Sequence, residues 1–250
     1  MNIKTINIKG KIIGGDKPLI CIPIMPMNND EVVEECEYVK DKKPDMVEWR
    51  ADFYSNVHDL NSILSVLDYI KRTIPQFPLI FALRSDEEGG HAAIEEDKRI
   101  GIIDKVIRAG LIDIVDIEIQ KCREIIDMSK RNGIYTIVSY YNFKETPKET
   151  LMLSKLVEAQ NEGADIVKIA VKPKNYFDVI ALFNSALTFK EKYGSIPEID
   201  ISMSRIGNIS RFAGVYFGSS VTFASGLKSS DSGKIPIEKL RMLFDTFVRC

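Results

Sequence analysis

The chain's 250 residues are enough to bury a core without disulfides or a structural metal, and its 45% apolar and 28% charged content is ordinary for a globular domain. With 34 basic against 36 acidic side chains, a net charge of −2, it carries no electrostatic footprint for nucleic acid or an anionic membrane. The longest apolar run, Leu19–Met27, contains two prolines and is well short of the roughly 20 residues of a spanning helix, and Met1–Gly15 lacks the apolar centre of a secretory signal, so the expected compartment is the cytoplasm.

In chain order, Ile3–Ile8 and Lys11–Ile13 flank Gly10 and predict a β-hairpin. Strands are predicted at Leu19–Ile24, Met46–Asp52, Leu79–Arg84, Ile112–Ile119, Ile134–Tyr140, Ile166–Val171, Glu198–Ser202 and Val221–Phe223, all short and mostly rich in Ile, Val or Phe. Between them, helical period predicts Asp30–Lys40, Leu60–Thr73, Ala92–Ala109, Arg123–Asn132, Lys148–Glu162 and Tyr176–Tyr193, with Ile237–Val248 closing the chain. Asp30 and Thr146 are expected to cap helix starts, Pro147 to sit in a first turn, and Gly110, Gly133 and Gly163 to end helices in the left-handed conformation.

Eight alternating strand–helix units fit a (β/α)8 TIM barrel better than an open doubly wound sheet, and no GxGxxG or GxxxxGK follows a strand. The expectation is one barrel domain over 1–250, with the hairpin covering the bottom of the barrel. Cysteines 21, 36, 122 and 250 show neither close pairing nor ligand spacing and read as reduced thiols; no metal site is expected.

Because side chains alternate across a strand, parity sorts the polar residues. Met46, Glu48 and Arg50 share a face; Arg84 ends its strand and Glu88-Gly89-Gly90 follows; Asp116 and Glu118 face with Ile114; Tyr141 faces with Ile137 and Ser139; Lys168 faces with Ile166 and Ala170. Trp49 has the opposite parity and belongs between barrel and helices. Buried opposite charges are costly unless they pair or meet a polar ligand, and barrel enzymes build their sites from strand ends. A ring of purely structural ion pairs is the plainer alternative. Lys168 is the sharpest candidate: burial and nearby arginines lower an amine's pKa and make it a nucleophile toward a ketone, which predicts a Schiff base. The competing expectation has its ammonium paired with Glu48, Asp116 or Glu118 or snorkelling outward.

Taken together, Glu48-Trp49-Arg50, Arg84 with Glu88-Gly89-Gly90, Asp116-Ile117-Glu118, Val167-Lys168-Ile169-Ala170, Ser202-Met203-Ser204 with Gly207 and Ser210-Arg211, and Gly218-Ser219 before Val221-Thr222-Phe223 resemble type I 3-dehydroquinate dehydratase, from Leu19 to the last helix. The resemblance implies a (β/α)8 barrel, usually a homodimer, that dehydrates 3-dehydroquinate to 3-dehydroshikimate in the shikimate pathway without metal or organic cofactor. Its substrate is an anionic, hydroxylated cyclic ketone. The resemblance further implies that Lys168 forms the iminium, Arg211 grips the substrate carboxylate, Glu48, Arg50 and Arg84 hold ring hydroxyls, and Glu88 orients an acid/base histidine. Met203 counts with the substrate-binding residues, and Ser230 belongs to a lid after the eighth strand.

Two positions depart from that pattern. Tyr141 stands where the family has its histidine, and neither His58 nor His91 replaces it. To act as a base at neutral pH, a phenol must be brought down from its ordinary pKa by roughly 3 pH units, about 4 kcal/mol, by adjacent positive charge. Lys234 replaces a lid glutamine. Three alternatives follow: a dehydroquinate dehydratase with altered or reduced activity, a diverged Schiff-base lyase or aldolase acting on another hydroxylated keto acid, and a catalytically silent ligand-binding paralogue.

Overall fold

The computed structural model describes residues 3–228 and 235–248. After the antiparallel hairpin β1 (Ile6–Ile8) and β2 (Lys11–Ile13) come eight strands: β3 (Leu19–Ile24), β4 (Met46–Arg50), β5 (Leu79–Ala82), β6 (Ile114–Glu118), β7 (Tyr135–Asn142), β8 (Ile166–Val171), β9 (Glu198–Ser202) and β10 (Val221–Phe223). They form one parallel sheet in the order β10-β3-β4-β5-β6-β7-β8-β9. A parallel bridge from Glu198 to Ser219, with the Ser220 N–H donating to the Glu198 carbonyl at 2.8 Å, brings its two edges together into the predicted barrel.

Helices α1 (Asn29–Lys42), α2 (Leu60–Thr73), α3 (Glu96–Ala109), α4 (Cys122–Arg131), α5 (Glu149–Asn161), α6 (Tyr176–Lys192), α7 (Ser204–Gly207), α8 (Ser210–Phe217) and α9 (Ile237–Phe247) complete the described chain. Helix α2 shows why these segments are helical: Asp59 caps the N–H groups of Asn61 and Ser62, and Ile63, Val66, Leu67 and Ile70 recur on one buried stripe. The left-handed glycines are as predicted, with φ of +64° at Gly110, +69° at Gly133 and +95° at Gly163. The caps are not. Asn28, not Asp30, caps α1 by accepting from the Glu31 N–H. Helix α5 begins at Glu149 without a side-chain cap, so Pro147 precedes it and the buried Thr146 hydroxyl has no partner among the described residues.

Strand parity divides the interior in two. Met46, Ile80, Ile114, Ile137, Ile166 and Ile199 fill the barrel, and Val47, Trp49, Phe81, Val115 and Val167 pack beneath the helices. Trp49 is fully buried, edge-on to Phe81 at 5.7 Å. Each such side chain contributes about 1.5–3 kcal/mol by leaving water.

The bottom of the barrel is tied by a recurring device. Asp45, Asp113 and Asp165 each precede a strand of the form apolar-Val and accept the backbone N–H of a residue at the start of the preceding strand: Ile20 at 3.0 Å, Leu79 at 2.8 Å and Thr136 at 2.9 Å. Lys11 and Lys9 then reach Asp45 and Asp113 at 2.6 and 2.7 Å, and Ile6, Ile8 and Ile13 join the barrel-interior cluster. The hairpin thereby covers the bottom, and the polar side chains converge at the opposite end.

Candidate active site

Lys168 projects inward from the middle of β8 and is 2% exposed. Its Nζ donates to Asp116 Oδ2 at 2.8 Å and to Glu48 Oε1 at 3.0 Å. These carboxylates come from β6 and β4 by the inward parity of both strands. The amine opens on a cavity of about 200 Å3 at the barrel mouth, lined also by Glu48, Arg50, Tyr141, Met203 and Arg211. Arg84 and Glu88 form the adjoining wall: the Arg84 guanidinium lies 3.7 Å from the centre of the Tyr141 ring and its Nη1 is 3.8 Å from Glu88 Oε2. The structure thus brings together every predicted site residue except Ser230 and Lys234, which lie outside the described residues. Larger hollows of about 490 Å3 beside α3 and α4 and about 820 Å3 near the hairpin contain no buried amine. Among the described residues no group of three or more His, Cys, Asp or Glu is placed to hold a metal ion.

Electrostatics overturn one expectation from sequence. The Lys168 ammonium lies above its ordinary pKa, not below it. Burial and Arg84 pull it down, but the Asp116 and Glu48 carboxylates outweigh them. Arginine proximity misled because Arg84 directs Nη2 at Asp116, 3.1 Å away. Burial likewise pushes Asp116 up, yet Lys168, Arg84 and the Ser139 hydroxyl, which donates at 2.6 Å, hold it at about 2.

Tyr141 is moved in the same unexpected direction. Burial raises its phenol and, with Asp116 and Glu48, outweighs the lowering by Arg84 and Lys168, so the positive charge expected to bring it toward neutrality does not prevail. Glu88 is pushed up to about 8, first by burial and then by the Glu118 carboxylate, with Arg84 opposing. Its Oε2 accepts no hydrogen bond among the described residues.

Further residues hold the site in place. Asp52, fully buried in the 3₁₀ turn Ala51–Phe53, accepts from Arg50 Nε and Nη2, both at 2.8 Å, and from the His91 N–H at 2.9 Å. His91 stacks on Phe53 with centroids 4.7 Å apart, docking the loop after β5 onto this turn. Gly90 is required there, because a Cβ would meet the Arg84 carbonyl oxygen at 2.2 Å. Arg211 is 4% exposed, on a helix whose register is tied to β10 by Thr222 Oγ1 donating to the Arg211 carbonyl at 2.7 Å. Asp116, Ser139 and Asp52 were not among the predicted site residues. Inward parity signals the first two; Asp52 leaves no such signal, because β4 ends at Arg50 and the turn breaks the alternation.

A buried amine flanked by carboxylates, beside several arginines and a cavity of this size, can form an imine with a small anionic ketone. The family model for type I 3-dehydroquinase matches residues 20–248. A 3-dehydroquinate dehydratase from Geobacillus sp. (strain WCH70) is 38% identical over 247 residues, covering 96% of this chain and 95% of its own. One from Clostridium novyi (strain NT) is 35% identical over 97% of this chain and 98% of its own. The crystal structure of 3-dehydroquinate dehydratase from Geobacillus kaustophilus HTA426 superimposes with a TM-score of 0.95 at 34% identity over the whole of both chains. That of the type I enzyme from Clostridium difficile, with covalently modified comenic acid, gives 0.94 at 32% identity over 98% of each.

Proposed function

Since the chain belongs to the type I 3-dehydroquinase family, we propose that it is a carbon–oxygen lyase that dehydrates 3-dehydroquinate to 3-dehydroshikimate in the shikimate pathway, through a Schiff base on Lys168. The observation that carries this is the Lys168 Nζ, buried between Glu48 and Asp116 on the wall of a cavity of about 200 Å3. The ketone at C3 condenses with the amine, and the resulting iminium draws electrons from the C2–H bond, so that the C2 proton leaves and an enamine forms. Its electrons then expel the C1 hydroxyl as water. Arg211 takes the substrate carboxylate as a bidentate fork, Glu48, Arg50 and Arg84 hold ring hydroxyls, and Met203 packs against the ring.

Tyr141 carries the C2 proton to the departing hydroxyl, beside Arg84 and Glu88. A phenol whose pKa is raised by burial supplies very little phenolate at neutral pH, which favours a slow dehydratase. Appearance of the conjugated enone in ultraviolet absorbance tests turnover, and borohydride reduction followed by mass measurement at Lys168 tests the imine. No turnover and no adduct would discard this reading; an adduct without enone would keep the imine and discard the dehydration.

The same proposal places the enzyme in the cytoplasm as a homodimer. None of the described helices is long and apolar enough to cross a membrane. Phe177, Ile180 and Leu187 form an exposed stripe on α6, with Phe177 81% exposed, and this supports a face that a second copy covers. Phe177→Glu is expected to convert dimer to monomer in sedimentation.

A further inference from the structure

Lys168 attacks a ketone only after its ammonium gives up a proton, and two carboxylates stand within hydrogen-bond distance to receive it. They are not equivalent. Asp116 accepts from Lys168 at 2.8 Å and Arg84 Nη2 at 3.1 Å on Oδ2, and from Ser139 Oγ at 2.6 Å on Oδ1. Protonating it would weaken the bonds to two buried cations at once. Glu48 accepts only from Lys168, at 3.0 Å, among the described residues, and unlike Asp116 it lines the cavity. Tyr141 offers no alternative: its ring centre lies 5.4 Å from Nζ and its phenol holds its proton.

We infer that Glu48 is the catalytic group that takes the ammonium proton from Lys168 and returns it to the water lost on imine formation, while Asp116 remains an anion and serves as the positioning residue for Nζ. This rests on the Schiff-base reading above. The steps balance. Lys168 passes one proton to Glu48, and the freed amine pair bonds to the carbonyl carbon as the carbonyl π pair moves to oxygen. A second amine proton moves to that oxygen, giving a neutral carbinolamine. The hydroxyl then leaves with the proton held by Glu48, as water, while the nitrogen pair closes the C=N bond. The products are a protonated iminium and a Glu48 carboxylate ready for the next turnover.

The test is timed borohydride quenching of the full chain with saturating 3-dehydroquinate, reading the mass gain at Lys168. Glu48→Gln is expected to slow adduct formation at neutral pH by about 10²–10⁴-fold, the usual worth of general acid–base assistance. The deficit should shrink as pH rises, because hydroxide then strips the ammonium directly. Asp116→Asn should stay closer to wild type and begin to react at lower pH, since its Lys168 has lost one anion that holds the proton on. Glu48→Ala gives a second arm: added formate should restore its trapping rate. Trapping by Glu48→Gln as fast as wild type, a deficit independent of pH, or indifference of Glu48→Ala to formate would each overturn the assignment. If wild type itself yields no adduct, the Schiff-base reading fails and this inference with it, so the two failures are distinguishable.

Discussion

Replacing Tyr141 by histidine should accelerate the enzyme, and the expected size follows from the site. An unperturbed phenol with pKa near 10 is phenolate in about one molecule per thousand at pH 7. Burial in the barrel mouth raises it further, so that fraction is a ceiling. An imidazole with its ordinary pKa near 6.5 is mostly neutral and ready to accept a proton at the same pH. If base availability limits turnover, Tyr141→His gains about three powers of ten in kcat, or roughly 4 kcal/mol, within the range that general acid–base catalysis supplies. Glu88 Oε2, which accepts no hydrogen bond among the described residues, lies 3.8 Å from Nη1 of Arg84, the guanidinium stacked on the Tyr141 ring. The assay is the rise of enone absorbance with wild type, Tyr141→His and Tyr141→Phe side by side. Wild-type kcat should climb about tenfold per pH unit across the neutral range, as expected for a base far below its pKa. Wild-type speed in Tyr141→Phe would remove Tyr141 from proton transfer, and a Tyr141→His protein no faster than wild type would refute phenolate scarcity as the limit.

Lys168→Met should lose both turnover and borohydride trapping. It leaves Asp116 and Glu48 buried without their cation, so a loss of roughly 3–5 kcal/mol is expected in denaturant melts at neutral pH, shrinking below about pH 4 where carboxylates protonate. Asp52→Asn unclamps Arg50, whose two hydrogen bonds to Asp52 are both 2.8 Å long; the half-saturating substrate concentration should rise more than kcat falls, measured in the same absorbance assay. Asp200 and Glu198 share the outward face of β9 with no hydrogen bonds to their carboxylate oxygens among the described residues, and burial raises Asp200 to about 8. Their neutral forms suit the fold, so stability is full below the ordinary carboxylate pKa of about 4 and falls as pH rises toward 8. Asp200→Asn should therefore melt higher than wild type at pH 8 and no higher at pH 4.

The barrel was legible because two periods alternate cleanly along the chain. Helix α2 lies where its apolar stripe predicts, Leu60–Thr73, and parity placed Trp49 outside the barrel and Glu48 inside. What parity cannot convey is which charges meet across strands. Lys168 and Asp116 are 52 residues apart, and Lys168 and Glu48 are 120 apart. Hence the sign of the Lys168 shift was missed although its position was not. Strand ends were the other blind spot. β7 continues to Asn142, carrying Tyr141 into the ladder beside Ala170, whereas β4 stops at Arg50 and turns Asp52 into a clamp. Helix α3 starts at Glu96 rather than Ala92 because the preceding loop is held by His91 on Asp52 and Phe53.

Protonation at the barrel mouth is expected to govern affinity for an anionic substrate. Lys168, Arg50 and Arg84 pair with the carboxylates of Glu48, Asp52 and Asp116, Arg211 lines the same cavity, and Glu88 at about 8 is mostly protonated at neutral pH. As pH rises through about 8, Glu88 ionises and adds a negative charge beside the cavity. At a separation of about 8 Å and an effective dielectric near 20, one added anion costs a bound carboxylate about 2 kcal/mol before solvent screening, or roughly tenfold in affinity once screening takes part of it. KM should therefore climb above pH 8 in wild type and stay level in Glu88→Gln, whose neutral amide mimics the protonated acid. Initial rates against substrate concentration from pH 6 to pH 10 would settle it. An identical rise in both proteins would mean that some other group controls substrate affinity at alkaline pH and that the mouth's charge balance does not depend on Glu88.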